Sequence, residues 1–143
     1  MQKTYYEILE GVSKKKTKKE KMEELRRHSG PSIKTILGYA FDPNVVWLLP
    51  EGDPPYTPLK DNSDVDGRLD YELRKLYYFV DGPTPEQKNL KQLRREQMFI
   101  EILESVDPKE AKLLLSMKNK KLPFKGITKA LIAETFPNIA TDW

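Results

Sequence analysis

The sequence lacks cysteine and contains a single histidine, His28. The absence of cysteine excludes disulfides, thiolate zinc sites and catalysis by a cysteine nucleophile. One histidine is too few for a site with several histidine ligands, and its place beside Arg27 favours a charge at a helix C-terminus over a catalytic role. No hydrophobic run is long enough to cross a membrane, and the first residues, MQKTYYEILEGV, have no apolar signal core. We therefore expect a location in the cytoplasm (of the host cell, if the protein is viral) or in a virion, with no membrane partner.

The motifs of common enzyme classes are also missing. The seven glycines form neither a phosphate-binding loop nor a dinucleotide-binding pattern, and no serine lies in a nucleophile-elbow pattern. Residues 62–72, NSDVDGRLDYE, place oxygen ligands at alternate positions before a glycine, as calcium-binding loops do. However, the closing Glu72 comes one position early, and no clear helix precedes the loop. We therefore predict a protein that is not an enzyme and has neither a metal site nor a cofactor.

The spacing of the apolar residues indicates helices along most of the chain. With 143 residues, the chain has the length of one domain and can bury a sizeable core. Helical spacing is found over 3–12, 18–27, 31–40, 67–80, 84–106, 108–118 and 127–135, and residues 45–49 are expected to add a short helical turn. No alternating strand pattern stands out, with YYFV at 77–80 as the best strand candidate. The sequence thus predicts a single all-α domain over residues 1–143, with seven or eight short helices.

Local signals place several helix starts and one long loop. Thr17 is a helix cap, with Glu20 three residues later as in a capping box, and Pro31 suits a first helical turn. Residues 50–66, PEGDPPYTPLKDNSDVD, contain four prolines and several carboxylates. This composition predicts a long, acidic surface loop.

The charge of the chain is unevenly distributed. Lys and Arg outnumber Asp and Glu by only 25 to 22, but residues 14–27, KKKTKKEKMEELRR, and 118–129, KNKKLPFKGITK, are basic, and 51–72 are acidic. Both basic segments place lysines at or just before a predicted helix start, where free N–H groups and the helix dipole favour phosphate. This arrangement is typical of a surface that binds a duplex backbone. The alternative is a lysine-rich surface that only keeps the protein soluble.

Three stretches together carry a resemblance to a known domain. They are TYYEILEGVSKKKTKKEKMEEL, PSIKTILGYAFDPNVVWLL and SMKNKKLPFKGITKALIAETFPNI. They resemble the N-terminal DNA-binding domain of ATP-dependent DNA ligases, especially the T-even bacteriophage type. In the last stretch Lys121, Gly126, Phe136 and Pro137 fall on the matching places. The resemblance covers nearly the whole chain, although residues 50–110 match only as a pattern of helices.

The chain also departs from those ligases. They continue into an adenylating domain whose nucleophile is the lysine of a Lys-x-Asp-Gly motif. Neither Asp-Gly pair here, at 66–67 or 81–82, has a lysine two positions before the aspartate. We therefore expect the binding module without the ability to seal a nick.

The resemblance implies a non-catalytic accessory protein, of a tailed phage, that binds double-stranded or nicked DNA without sequence preference. It implies contacts mainly with the sugar-phosphate backbone, on the minor-groove side. Two backbone stretches would be met by two sets of residues: Lys16, Thr17, Lys18 and Lys21, and then Lys121, Lys125, Gly126, Thr128 and Lys129.

Other functions remain open at this point. The protein could be a protein-interaction or virion structural protein that kept the fold and lost DNA binding, as the small net charge suggests. The loop at 50–66 would then dock a basic partner. A further alternative is an inhibitor of a host enzyme, whose acidic loop mimics DNA.

Overall fold

The computed structural model describes residues 3–60 and 65–143. These residues form eight α-helices: α1 (Tyr5–Ser13), α2 (Lys18–Arg27), α3 (Pro31–Phe41), α4 (Arg68–Glu72), α5 (Pro85–Asn89), α6 (Gln92–Leu103), α7 (Pro108–Lys118) and α8 (Lys129–Thr135). The 3₁₀ segments Leu73–Phe79 and Pro137–Ile139 follow α4 and α8. The prediction of a single all-α domain with seven or eight short helices is confirmed. In the described part of the chain, no helix is both long and apolar enough to cross a membrane.

The helix starts follow local chemistry closely. Thr17 caps α2, as predicted, because its hydroxyl accepts the N–H of Glu20 at 3.1 Å. The Glu20 carboxylate accepts from that same hydroxyl, at 3.1 Å, rather than from the backbone N–H that a full capping box would use. Pro31 and Pro108 lie in the first turns of α3 and α7, where a missing N–H costs nothing.

The predicted long helix over 84–106 is wrong, because the chain breaks between α5 and α6. Leu90 is extended, with φ −70° and ψ 125°. The buried guanidinium of Arg95 donates to the Gln87 carbonyl (2.8 Å) and to the Tyr78 carbonyl (2.8 Å). In a continuous helix the Gln87 carbonyl would accept from the N–H four residues later, so this tertiary contact replaces the helical bond.

The predicted helical turn at 45–49 is also wrong, because this segment is extended. The Leu48 N–H donates to the Phe79 carbonyl (2.7 Å), and the Asp81 N–H donates to the Val46 carbonyl (2.8 Å). The predicted helix over 67–80 is only partly α-helical. The α-helix α4 ends at Glu72, and a 3₁₀ segment continues to Phe79, just before the paired residue Val80. The pairing amounts to one antiparallel β-bridge, and the described residues contain no longer strand pair.

The hydrophobic core is built around α3 and α7. α7 packs against α1, α3 and α6, and its apolar side chains are almost completely shielded from solvent. Leu9 of α1, Ile36 of α3, Phe99 of α6 and Leu114 of α7 are all buried in one cluster. α8 contributes Leu131 and Ile132 to the same cluster and packs against α2 at the edge of the domain.

Candidate nucleic-acid interface

The two basic segments of the sequence lie side by side in the structure. α2 packs against α8. The segment that precedes α2 is tied to the segment that precedes α8 by a hydrogen bond of 2.6 Å, which the Ser13 hydroxyl donates to the Lys125 carbonyl. This contact joins residues 112 positions apart. The fold therefore gathers lysines that the sequence keeps at opposite ends.

A groove with a volume of about 280 Å³ is lined by residues of both α2 and α8, and we call it the α2–α8 groove. Its lining residues are Lys18, Lys21, Gly126, Thr128, Ala130, Leu131 and Glu134. Four of the nine residues that the sequence predicts for DNA contact are in this set: Lys18, Lys21, Gly126 and Thr128.

Lys18 and Lys21 reach the groove because they are one helical turn apart on α2. Lys18 forms an ion pair with Glu134, near the C-terminal end of α8, and Lys21 lies over Gly126, just before α8 begins. The two helices therefore run in opposite directions along the groove. Among the described residues Lys21 has no ion-pair or hydrogen-bond partner, so its ammonium group is available to a ligand.

Gly126 is favoured by its backbone conformation, and the end of a lysine side chain lies against it. Its φ of +83° lies in the left-handed region, which side chains other than hydrogen rarely adopt. A Cβ atom at this position would lie 2.5 Å from Lys21 Nζ. The glycine thus lets the lysine lie directly against the loop backbone at one end of the groove.

Thr128 and Thr17 serve first as helix caps. The Thr128 hydroxyl accepts the Leu131 N–H at 3.1 Å, as Thr17 accepts that of Glu20. Both threonines are exposed, as are Lys16, Lys125 and Lys129. These three lysines do not line the groove, but each is next in sequence to one of its residues or to the cap of α2.

Lys121 is not brought into the groove. It follows α7 and is exposed, and its N–H donates to the Ser116 carbonyl (3.0 Å) while the Lys120 N–H donates to the Met117 carbonyl (3.1 Å). Lys120 has the positive φ, +58°, that closes a helix in this way. Lys121 thus belongs to the end of α7.

Two further lysines of the second basic segment, the exposed Lys120 and the buried Lys118, donate hydrogen bonds to backbone carbonyls elsewhere in the protein. Lys120 Nζ donates to the Asp42 carbonyl (2.7 Å), and Lys118 Nζ donates to the carbonyls of Pro50 (2.8 Å) and Gly52 (2.6 Å). Burial lowers the pKa of both lysines, against the opposing effect of nearby carboxylates. The number of lysines in this segment therefore overstates the charge that it presents to solvent.

Sequence reasoning missed Glu134 and Ser13. Glu134 places a carboxylate in a groove that is otherwise basic, and Ser13 joins the two connectors. No local pattern could have paired either residue with its partner, because both contacts cross most of the length of the chain.

The segment 62–72, which resembles a calcium-binding loop but is predicted to hold no metal, is only partly described, since residues 61–64 lie outside the described residues. Its closing residue, Glu72, is 1% exposed and pairs with Arg68 (3.0 Å) and Lys75 (3.4 Å). Across residues 3–60 and 65–143 no three acidic or histidine side chains are grouped as metal ligands would be. His28 caps the end of α2, with Nε2 3.4 Å from Glu24 Oε2.

The fold and the groove define a compact all-α domain with a basic, glycine-containing cleft at one edge. The chain belongs to a family described as a family of unknown function (DUF6433), whose model matches residues 8–123. The match includes α2 and ends before Gly126 and α8. No curated protein and no solved structure matches the chain. The resemblance to DNA ligase domains therefore stays a prediction.

Proposed function

We propose that this protein is a non-catalytic accessory protein that binds double-stranded or nicked DNA through the sugar-phosphate backbone. Binding takes place at the α2–α8 groove and does not depend on base sequence. The observation that supports this proposal is the convergence of Lys18, Lys21 and Gly126 in one groove from two distant basic segments.

The chemistry of the groove suits a phosphodiester group. Lys21 offers an ammonium group without a partner among the described residues, and this group lies against the backbone of Gly126. Lys18 is 62% exposed and is held by Glu134 only through a surface ion pair, which contributes little to stability. A phosphate can therefore displace the Glu134 carboxylate and pair with the ammonium groups of Lys18 and Lys21.

The flanking lysines extend the same surface along a duplex. Lys16 lies before α2, and Lys125 and Lys129 lie on either side of Gly126 and Thr128. Together with Lys18 and Lys21 they give five candidate phosphate contacts. Each contact releases condensed counterions, so the slope of log K against log salt should be no steeper than about −4.5.

The test is fluorescence anisotropy with a short labelled duplex, intact and nicked, across a salt series. We expect micromolar binding that falls steeply with salt, and a preference for the nicked duplex would support the ligase-like role. The variant Lys16→Glu/Lys125→Glu/Lys129→Glu should lower the affinity at least about tenfold, because it reverses the charges beside the groove.

A matched control separates this local effect from the effect of net charge. The variant Lys88→Glu/Lys91→Glu/Lys112→Glu changes the net charge equally, at three exposed lysines that do not line the groove. It should keep most of the affinity. Equal losses in the two variants would show that the groove is not the site, and no binding at low salt would overturn the proposal.

A further inference from the structure

A second cavity, of about 270 Å³, lies between the start of the Pro-rich loop and α6, and we call it the loop pocket. Its surface is mostly apolar, and its lining includes Leu49, Pro54 and Pro55 from the loop and Phe99 and Ile100 from α6. Nothing in the proposed DNA contacts uses this cavity.

The loop that walls the pocket is fixed by a buried ammonium group. Lys118 is 6% exposed, and its Nζ donates to Pro50 O (2.8 Å), Gly52 O (2.6 Å) and Asn119 Oδ1 (2.6 Å). The Asn119 amide in turn donates to Asp53 at 3.1 Å. Removing an ammonium group from water is costly, and these three acceptors offset that cost. The pocket is therefore largely preformed.

The charges around the pocket favour a positively charged occupant. Three carboxylates line it, those of Glu51, Asp53 and Glu96, against the single ammonium group of Lys118. That ammonium group has three donors and already makes three hydrogen bonds, so it has none left for an anion. The occupant should therefore combine apolar surface with positive charge, and the excess of carboxylates disfavours nucleic acid.

The volume of the pocket indicates a peptide anchor. Small-molecule sites usually occupy about 300–1,000 Å³, so this pocket lies just below their range. It has room for one or two apolar side chains, and Glu51, Asp53 and Glu96 are among its lining residues. Protein partners commonly dock by inserting a few apolar side chains into a pocket of this kind, with charged residues around it.

We propose that the loop pocket docks a partner protein through a short segment in which one or two large apolar side chains are flanked by Lys or Arg. The apolar side chains pack on Phe99 and Ile100, and the flanking cations pair with Glu51, Asp53 and Glu96. This interaction is independent of DNA binding at the α2–α8 groove.

The probes are short synthetic peptides with Phe-Leu, Ile-Leu or Met-Phe at the centre and lysines on both sides. Two control sets keep the lysines with an Ala-Ala centre, or keep the centre with glutamates as flanks. Binding is followed by amide chemical shifts of the labelled protein. We expect the lysine-flanked apolar peptides to shift the amides of Gly52, Phe99 and Ile100, with sub-millimolar affinity, and both control sets to bind at least about tenfold more weakly.

Two variants test the two halves of the site. Glu51→Lys should weaken peptide binding about tenfold through charge, and Ile100→Ala should weaken it through lost apolar contact. Glu86→Lys reverses an exposed charge that does not line the pocket and should leave binding unchanged. Thermal unfolding of each variant shows whether the fold is retained.

The proposal is overturned if no peptide shifts the pocket amides, or if glutamate-flanked peptides bind equally well. Self-association in sedimentation that Glu51→Lys abolishes would instead make a second copy of this chain the occupant. Peptide binding should persist in the Lys16→Glu/Lys125→Glu/Lys129→Glu variant, so failure at one site can be told from failure at the other.

Discussion

The α2–α8 groove and the loop pocket use lysine in opposite ways. In the groove, Lys18 is exposed and pairs only with Glu134, and the half-buried Lys21 lies against Gly126 with no ion-pair or hydrogen-bond partner among the described residues. In the pocket, Lys118 is buried, and its ammonium group donates hydrogen bonds to two backbone carbonyls and to the side-chain amide oxygen of Asn119. The role of a lysine-rich segment can therefore be inferred only once the burial of each lysine is known. A buried ammonium group can order a loop, whereas an exposed one can bind a ligand.

Removal of the buried pocket lysine, compared with removal of an exposed lysine beside the groove, should give the largest contrast. Lys118→Ala leaves the Pro50 and Gly52 carbonyls without their donor, and we expect it to lower the free energy of unfolding by about 3 kcal/mol. Lys125→Ala, in the same basic segment but exposed, should change it by less than about 0.5 kcal/mol. Urea unfolding of both variants measures the contrast. Equal effects would mean that the buried lysine does not order the loop.

Burial also affects an acid on α7, and it should make the stability of the protein depend on pH. Glu110 accepts the Tyr5 N–H (3.3 Å), and burial, with smaller contributions from Asp107 and other acids, raises its pKa from 4.5 to about 7. The folded state then holds the proton more tightly than the unfolded chain. The resulting stability is complete below about pH 4.5 and is lost as the pH rises through about 7.

Glu110→Gln keeps an oxygen acceptor for Tyr5 and removes this titration. Relative to the unaltered protein, the variant should gain about 2 kcal/mol in free energy of unfolding between pH 5 and pH 8, somewhat less than the full pKa shift implies because some solvation remains. Denaturant unfolding at both pH values measures this change. Glu23→Gln, at an exposed position on α2, is the control: it leaves Glu110 in place and should keep the pH profile of the unaltered protein. The same pH profile in Glu110→Gln and in the unaltered protein would contradict the prediction.

Local chemistry predicted the fold better than it predicted the groove or the pocket. The cap at Thr17 and the proline at the start of α3 could be found because each signal lies within a few residues of its effect. The break at Leu90 could not, because it depends on the guanidinium of Arg95 reaching across to backbone carbonyls.

The candidate site shows the same limit. The sequence singled out the lysines and Gly126, but it could not tell which of them share one surface. The side chains of Lys118 and Lys120 bond to carbonyls that are 66 and 78 positions away, so no local signal shows that these two ammonium groups already have partners within the protein. Contacts over such distances depend on the packing of the helices, which the sequence pattern does not report.

The glycine of the groove should behave unlike a glycine inside a helix. Gly126→Ala forces a Cβ into a residue with φ +83° and against Lys21, and it should cost about 1 kcal/mol of stability. Gly38→Ala is the matched control, since Gly38 lies within α3 and its added Cβ would meet no atom within 4 Å. It should stabilise the protein by about 0.5–1 kcal/mol.

Opposite signs in chemical unfolding would support the backbone requirement at Gly126. The DNA affinity of the two variants would then tell whether the position of Lys21 matters, since only Gly126→Ala displaces its ammonium group. A Gly126→Ala variant as stable as the unaltered protein would show that the loop adapts without cost.

The smallest expected effect is also the most specific to the groove. Glu134→Gln removes the carboxylate that holds Lys18 and should raise DNA affinity about two- to threefold, since a surface ion pair contributes at most about 1 kcal/mol. Glu23→Gln changes the net charge equally on α2 without lining the groove. Its affinity should rise less, if at all, in anisotropy titrations at low salt. A gain confined to Glu134→Gln would mean that the phosphate and this carboxylate compete for the same ammonium group, whereas equal gains would reduce the effect to net charge and count against the groove as the site.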